Sequence, residues 1–205
     1  MHHTLRILSL LAILASCQKE QAPDPEPGPE EHSLTRSLQF PGEGIRLDTT
    51  YTTSQIPVKA HVSKFTPQED YLLVEFTSGA SISTTTQKDI ISLNIPVSKL
   101  RPGWVGDYQF VYGRFNTSPP TFTGHVMGSL YLRYHQNAFA YFDANGSADT
   151  PGVFRITAYD AKRHLISGDF RTSGEAWIDL TPVTKGAASF KLQLSGSFKN
   201  LPVKQ

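Results

Sequence analysis

From Ile45 onward, apolar and polar residues alternate with a period of two. In the segment 190–198, Phe190, Leu192, Leu194, Gly196 and Phe198 fall on one side, and Lys191, Gln193, Ser195 and Ser197 on the other. Successive side chains of a strand point to opposite faces, so such a segment buries one face and wets the other. A helix would scatter the same residues around its axis. The rhythm returns at Ile56, Val58, Ala60 and Val62; at Leu72, Val74 and Phe76; at Ile91, Leu93 and Ile95; at Leu130, Leu132 and Tyr134; and at Phe154, Ile156 and Ala158. Turn formers punctuate these runs: Thr66-Pro67, Arg101-Pro102-Gly103, Ser118-Pro119-Pro120, Asn145-Gly146, Thr150-Pro151-Gly152 and Lys185-Gly186. No window carries a 3.6-residue period, and Thr66 to Asp70 has room for one helical turn at most.

Strands at this spacing, with tight turns and no crossover helices, pair antiparallel. About nine or ten of them predict an all-β fold, an antiparallel β-sandwich. A closed up-and-down, lipocalin-like barrel is the alternative, because strict alternation suits both. The expected hairpins are 121–134 with 138–143, and 153–159 with 164–172, the second turning at Asp160-Ala161-Lys162. If the protein adds strands to a partner, the final strand, 188–199, is the edge to inspect.

The start of the chain has another pattern. Arg6 precedes an apolar run, Ile7 to Ala15, and Ser16 and Cys17 follow; Cys17 is the only cysteine. The run falls short of the ~20 apolar residues that span a bilayer and matches the apolar centre of a secretory signal. Its ending, Leu14-Ala15-Ser16-Cys17, resembles the lipobox of bacterial lipoproteins. The resemblance implies cleavage before Cys17, a diacylglycerol on its thiol and an acylated amino terminus. An ordinary cleaved signal would instead leave a lone cysteine. Two or more acyl chains anchor stably where one holds only reversibly.

Beyond Cys17, Pro23, Pro25, Pro27 and Pro29 alternate with Asp24, Glu26 and Gly28. Alternate prolines fix φ and remove backbone donors, leaving an extended, solvated spacer of roughly 50 Å at ~3.1 Å per residue. The expected organisation is a signal peptide over 1–16, a lipidated tether over 17–33 and one β domain over 34–205. Lys19-Glu20 is similar to the export signal of surface lipoproteins in Bacteroidota, which usually carries two acids; Gln21 follows here. An outer-membrane lipoprotein on the periplasmic or the cell-surface face is implied.

Setting aside Arg6, Lys19 and the acids of the tether leaves 17 basic and 13 acidic residues in the body, with no Lys/Arg block. A nucleic-acid partner would call for a clustered basic stripe. The body has no thiol, so disulfides and a cysteine nucleophile are both excluded there. About 170 residues suffice to bury a core without staples.

Tyr159-Asp160 with Lys162, then Ile166-Ser167-Gly168 with Phe170, then Gly196 with Phe198, resemble the C-terminal half of small lipoproteins of Bacteroidota. That family implies an all-β body at the envelope and assigns no chemistry.

Catalytic signals are sparse. Gly79-Ala80-Ser81-Ile82-Ser83 lacks the second glycine of a nucleophile elbow, and no His-Glu-x-x-His occurs. Asp143, Asn145, Ser147 and Asp149 place oxygens at alternate positions like the front of a calcium loop. They lack the closing bidentate Glu, and Asn145-Gly146 is equally a hairpin turn, so no metal or other cofactor is expected. Glu175, Trp177 and Asp179 share one strand face, where an indole flanked by carboxylates can stack on a sugar ring. Glu175 and Asp179 stand too far apart for a direct acid–base pair. Tyr131, Arg133 and His135 share another outer face as a polar-aromatic patch. The expected role is a non-catalytic, lipid-anchored envelope module that binds a glycan or a protein partner and touches the membrane through lipid on Cys17. A polysaccharide or peptidoglycan hydrolase, and a structural subunit of an outer-membrane assembly, are the alternatives.

Overall fold

The computed structural model describes residues 26–42, 44–66, 69–77, 89–110, 112–114, 121–123, 126–135, 138–143, 152–176 and 190–205. Among these, the first strands are β1 (Glu31–Phe40), β2 (Ile45–Thr52), β3 (Val58–Thr66), β4 (Glu69–Thr77) and β5 (Ile90–Pro96). One 3-10 turn, Val97–Lys99, leads to β6 (Gly106–Gln109), β7 (Tyr112–Arg114), β8 (Thr121–Thr123) and β9 (Met127–His135). The last are β10 (Ala138–Asp143), β11 (Gly152–Asp160), β12 (Leu165–Ala176) and β13 (Phe190–Lys204). The chain is all-β, as the alternation implies; the 153–159/164–172 hairpin is present as β11–β12, whereas of the expected strand 121–134 only the part in β9 pairs with β10, Thr121–Thr123 being the separate β8.

Eleven strands join one curled sheet, a half-barrel, in the order β10-β9-β5-β4-β3-β13-β12-β11-β6, with β1 also on β13 and β2 outside β1. β7 and β8 pair separately. The pivot is β13. Its first part lies between β12 and β1, pairing Lys191 with both Glu175 and Gln39. Beyond the start of β1, β3 takes over that flank, with Val203 opposite Ala60 and Lys204 opposite His61. This contact is parallel, so the sheet is mixed rather than wholly antiparallel. It also means that the last strand is internal and not the free edge a strand-adding partner would need. At the far end a parallel bridge joins Phe110, just after β6, to Val126, just before β9.

The curl closes over one core. Leu72, Val74 and Phe76 of β4, Ile91, Leu93 and Ile95 of β5, and Leu192, Leu194 and Phe198 of β13 are all buried, as the two-residue period requires. Phe76 meets Phe170 and Phe198 with ring centroids 5.2 and 6.3 Å apart, and Phe154 stacks on Phe198 at 5.8 Å. These rings join β4 to β11, β12 and β13 across the interior. Each buried side chain of this size contributes ~1.5–3 kcal/mol, and each ring pair adds about 0.5–1.5 kcal/mol.

Two glycines make this packing possible. β12 and β13 pair so that Gly168 faces Phe198 and Phe170 faces Gly196. A Cβ on Gly168 would stand 2.7 Å from Cζ of Phe198, and one on Gly196 would stand 3.0 Å from Cζ of Phe170. Each phenyl ring thus lies over the glycine of the neighbouring strand. The repeated Gly-x-Phe noted in the sequence is one reciprocal cross-strand arrangement.

β1 begins at Glu31, inside the stretch expected to be tether. Residues 26–30 are exposed, and the amide of Asn200 donates to the carbonyl oxygens of Gly28 and Pro29 at 2.9 and 3.4 Å. The end of the proline-rich segment is therefore held against β13.

Candidate functional site

The outer face of β6, β11, β12, β13 and β1 carries an open groove of about 640 Å³. It crosses five strands, roughly 19 Å at ~4.8 Å per strand step. The register builds its floor in rows. One row holds Asp107 and Arg155 and continues beyond the groove to Asp169, Ser197 and Ser33; the next runs Gln109, Val153, Arg171, Ser195, Thr35; a third runs Ser173, Gln193, Ser37. These positions alternate with the core residues Phe154, Phe170, Leu194 and Leu38, so the period that fills the interior also sets hydroxyls, amides and guanidiniums outside.

Charge is concentrated at the β6 end. Arg155 donates to both carboxylate oxygens of Asp107, from Nε at 2.6 Å and from Nη2 at 3.0 Å. The hydrogen bonding from Arg155 holds the Asp107 carboxyl below its ordinary value, and the positive charges of Arg155, Arg101 and Arg171 add to this. The same pairing raises Arg155. Arg171 is exposed, and among the described residues it has no hydrogen bond or ion pair. On the other flank, the hydroxyls of Ser33 and Ser197 bond at 2.9 Å, and those of Thr35 and Thr50 at 3.2 Å.

The turn before β6 is built tightly. Trp104 N donates to Arg101 O, and Gly103 and Trp104 both take positive φ. Tyr108 Oη donates to Trp104 O at 2.6 Å and accepts from Arg101 N. The Trp104 indole stacks on Tyr159 at 4.1 Å, so the indole is committed to a neighbouring ring, and Tyr108 and Phe110 belong to the core.

A second polar cluster lies inside the half-barrel. Arg36 of β1 pairs with Asp89, immediately before β5, and Tyr51 Oη of β2 donates to Asp89 at 2.8 Å. Both partners of the ion pair are buried. It links β1 to the start of β5 through the interior, so it reads as an internal clasp.

Of the sequence-predicted site residues, Glu175 falls at the end of β12 opposite Lys191, in register with the groove rows. Trp177 and Asp179 lie outside the described residues, as do Cys17, Asn145, Ser147 and Asp149. Asp143 ends β10. Tyr131, Arg133 and His135 are on β9, opposite Tyr141, Phe139 and Ala138. Four strands separate β9 from β12 in the sheet, so the two expected patches are not brought together. Among the described residues, no group of three or more His, Cys, Asp or Glu could hold a metal ion.

Compared with protein-family models, curated proteins and solved structures, the chain matches none. The groove must therefore be read from its own residues.

Asp107, Arg155, Arg171 and the Arg36–Asp89 pair were not singled out from the sequence. For Arg36 a signal existed. It sits in phase with Leu34, Leu38 and Phe40, and a charge on an apolar face demands a buried partner. For the groove the signal was weaker, because polar residues on the wet side of a strand are the ordinary pattern.

Proposed function

We propose that this chain is a lipid-anchored cell-envelope protein whose β body binds a glycan without catalysing a reaction on it. The single observation that carries the binding reading is the outer groove: β1, β6, β12 and β13 present Thr35, Gln109, Ser173, Gln193 and Ser195 as neutral hydrogen-bonding groups beside Arg155 and Arg171. Glycans offer hydroxyls at close, regular intervals and match such a floor. Binding fits better than hydrolysis because Asp107, the carboxylate among the described lining residues, is engaged by Arg155, which favours its ionised form. A general acid needs the opposite, a carboxyl raised toward the working pH.

The membrane part of the reading rests on Leu14-Ala15-Ser16-Cys17 and on the proline-rich segment that follows. Lipid on Cys17 would hold the protein at the outer membrane, with the spacer setting its distance. Two experiments test the halves separately. Metabolic labelling with a palmitate analogue is expected to mark the wild type and not Cys17→Ala. A glycan array probed with the soluble body is expected to show bound polysaccharides; an array with no bound glycan refutes the binding half.

A further inference from the structure

Resting on that glycan-binding reading, we propose that the groove takes an anionic polysaccharide, with an acidic group of the sugar chain paired to the guanidinium of Arg171. Three arginines, Arg101, Arg155 and Arg171, surround two carboxylates, Asp107 and Asp169, so positive charge is in excess there. Arg155 is spent on Asp107 in a two-point contact. Arg171 is left over: it is exposed, without a bonded partner among the described residues, and its row neighbours Val153, Gln109, Ser195 and Thr35 carry no charge. A planar guanidinium with free donors selects a carboxylate or a sulfate by paired hydrogen bonds.

The surroundings favour a sugar chain over an acidic protein segment. Four of the five strands of the floor, β11, β12, β13 and β1, are paired on both sides, so a peptide could add as a strand only at β6, the end of the sheet order. Among the described lining residues no aromatic side chain offers the anchoring pocket that dominates protein interfaces. The described lining residues likewise offer a neutral glycan no ring to stack on, and what they present to a ligand is charge and hydrogen bonding. Ser173 and Gln193 in one row, and Ser195 and Thr35 in the next, are neighbours at the ~4.8 Å strand step, close to the length of one pyranose ring in an extended chain.

The test measures affinity for a panel of polygalacturonate, alginate, hyaluronan and chondroitin sulfate, with dextran and fully methyl-esterified pectin as neutral counterparts. The acidic members are expected to bind, more weakly as salt rises, since exposed charges are screened over about 8–10 Å at 0.1–0.15 M. Arg171→Gln should weaken binding by about tenfold or more, a loss of ~1.4 kcal/mol or greater, with the melting temperature unchanged. Lys59→Gln, which removes one exposed positive charge from β3, should leave affinity unchanged. Equal affinity for polygalacturonate and its methyl ester overturns the anionic proposal and leaves glycan binding standing. So does binding of neutral members alone. Equal effects of the two substitutions overturn the assignment to Arg171. Displacement of the polysaccharides by poly-glutamate at matched charge overturns the choice of a sugar, and no binding to any member of the panel or of a wider array overturns both readings.

Discussion

Gly168→Ala adds a single methyl group at one of the two glycines where the β12–β13 pairing has no room for it. The added Cβ would overlap the carbonyl oxygen of Arg155 and would stand 2.7 Å from Cζ of Phe198. Neither obstacle yields easily. The carbonyl belongs to β11, which is paired with both β12 and β6, and the Phe198 ring is wedged against Phe76 and Phe154. Inserting volume into a packed core costs ~1–3 kcal/mol, and a clash with paired main chain belongs at the upper end. For a domain of 150–250 residues, each kcal/mol moves the melting temperature by about 2–4 °C, so a fall of about 6–12 °C is expected. Gly42→Ala is the control, because a Cβ there meets nothing within 4 Å. The same chemical change should then be neutral, or slightly stabilising through the unfolded chain. The assay is a thermal melt followed by far-UV circular dichroism. A Gly168→Ala melt within about 2 °C of wild type, or an equal loss in Gly42→Ala, would refute the reciprocal glycine–phenylalanine packing.

Other consequences follow from the same geometry. Leu192→Lys should leave the domain unfolded, since it forces a charge into the core at a 1% exposed position, while Gln193→Lys, one residue on and outside, should melt like wild type; equal melts would mean the wrong register. Asp89→Ala removes the carboxylate paired with the buried Arg36 and should cost ~3–5 kcal/mol in urea unfolding, so an unchanged midpoint would remove the internal clasp. Asp107 should titrate below the ordinary 3.8, because Arg155 stabilises its ionised form. With a depressed folded value, the pairing is complete above the unfolded carboxylate range and is lost only as pH falls through the lower folded value. Carboxyl NMR of Asp107 should therefore be flat from pH 7 to 5, and Arg155→Gln should raise the midpoint; a midpoint unmoved by that substitution counts against the pairing.

The amino-acid order alone determined the class of fold and the facing of many of its residues. Alternation is a local property: in 190–198 each neighbour must point the other way, so Leu192 and Leu194 go in and Gln193 and Ser195 stay out, whatever the sheet around them. The β11–β12 hairpin and the β9–β10 pairing were legible for the same reason, since a short turn ties the pairing of adjacent strands to nearby residues. What lies far apart in the chain was decided only by the folded whole. That β13 is an inner pivot, paired with β1 from more than a hundred residues away, depends on competition among all possible neighbours, which no local pattern encodes. The glycine–phenylalanine exchange needed the β12–β13 register, and the outer groove needed five strands laid side by side. Arg171 gains its meaning only there: Arg155 beside it is already bound to Asp107, and three sequentially remote rows of polar residues surround the guanidinium that is left.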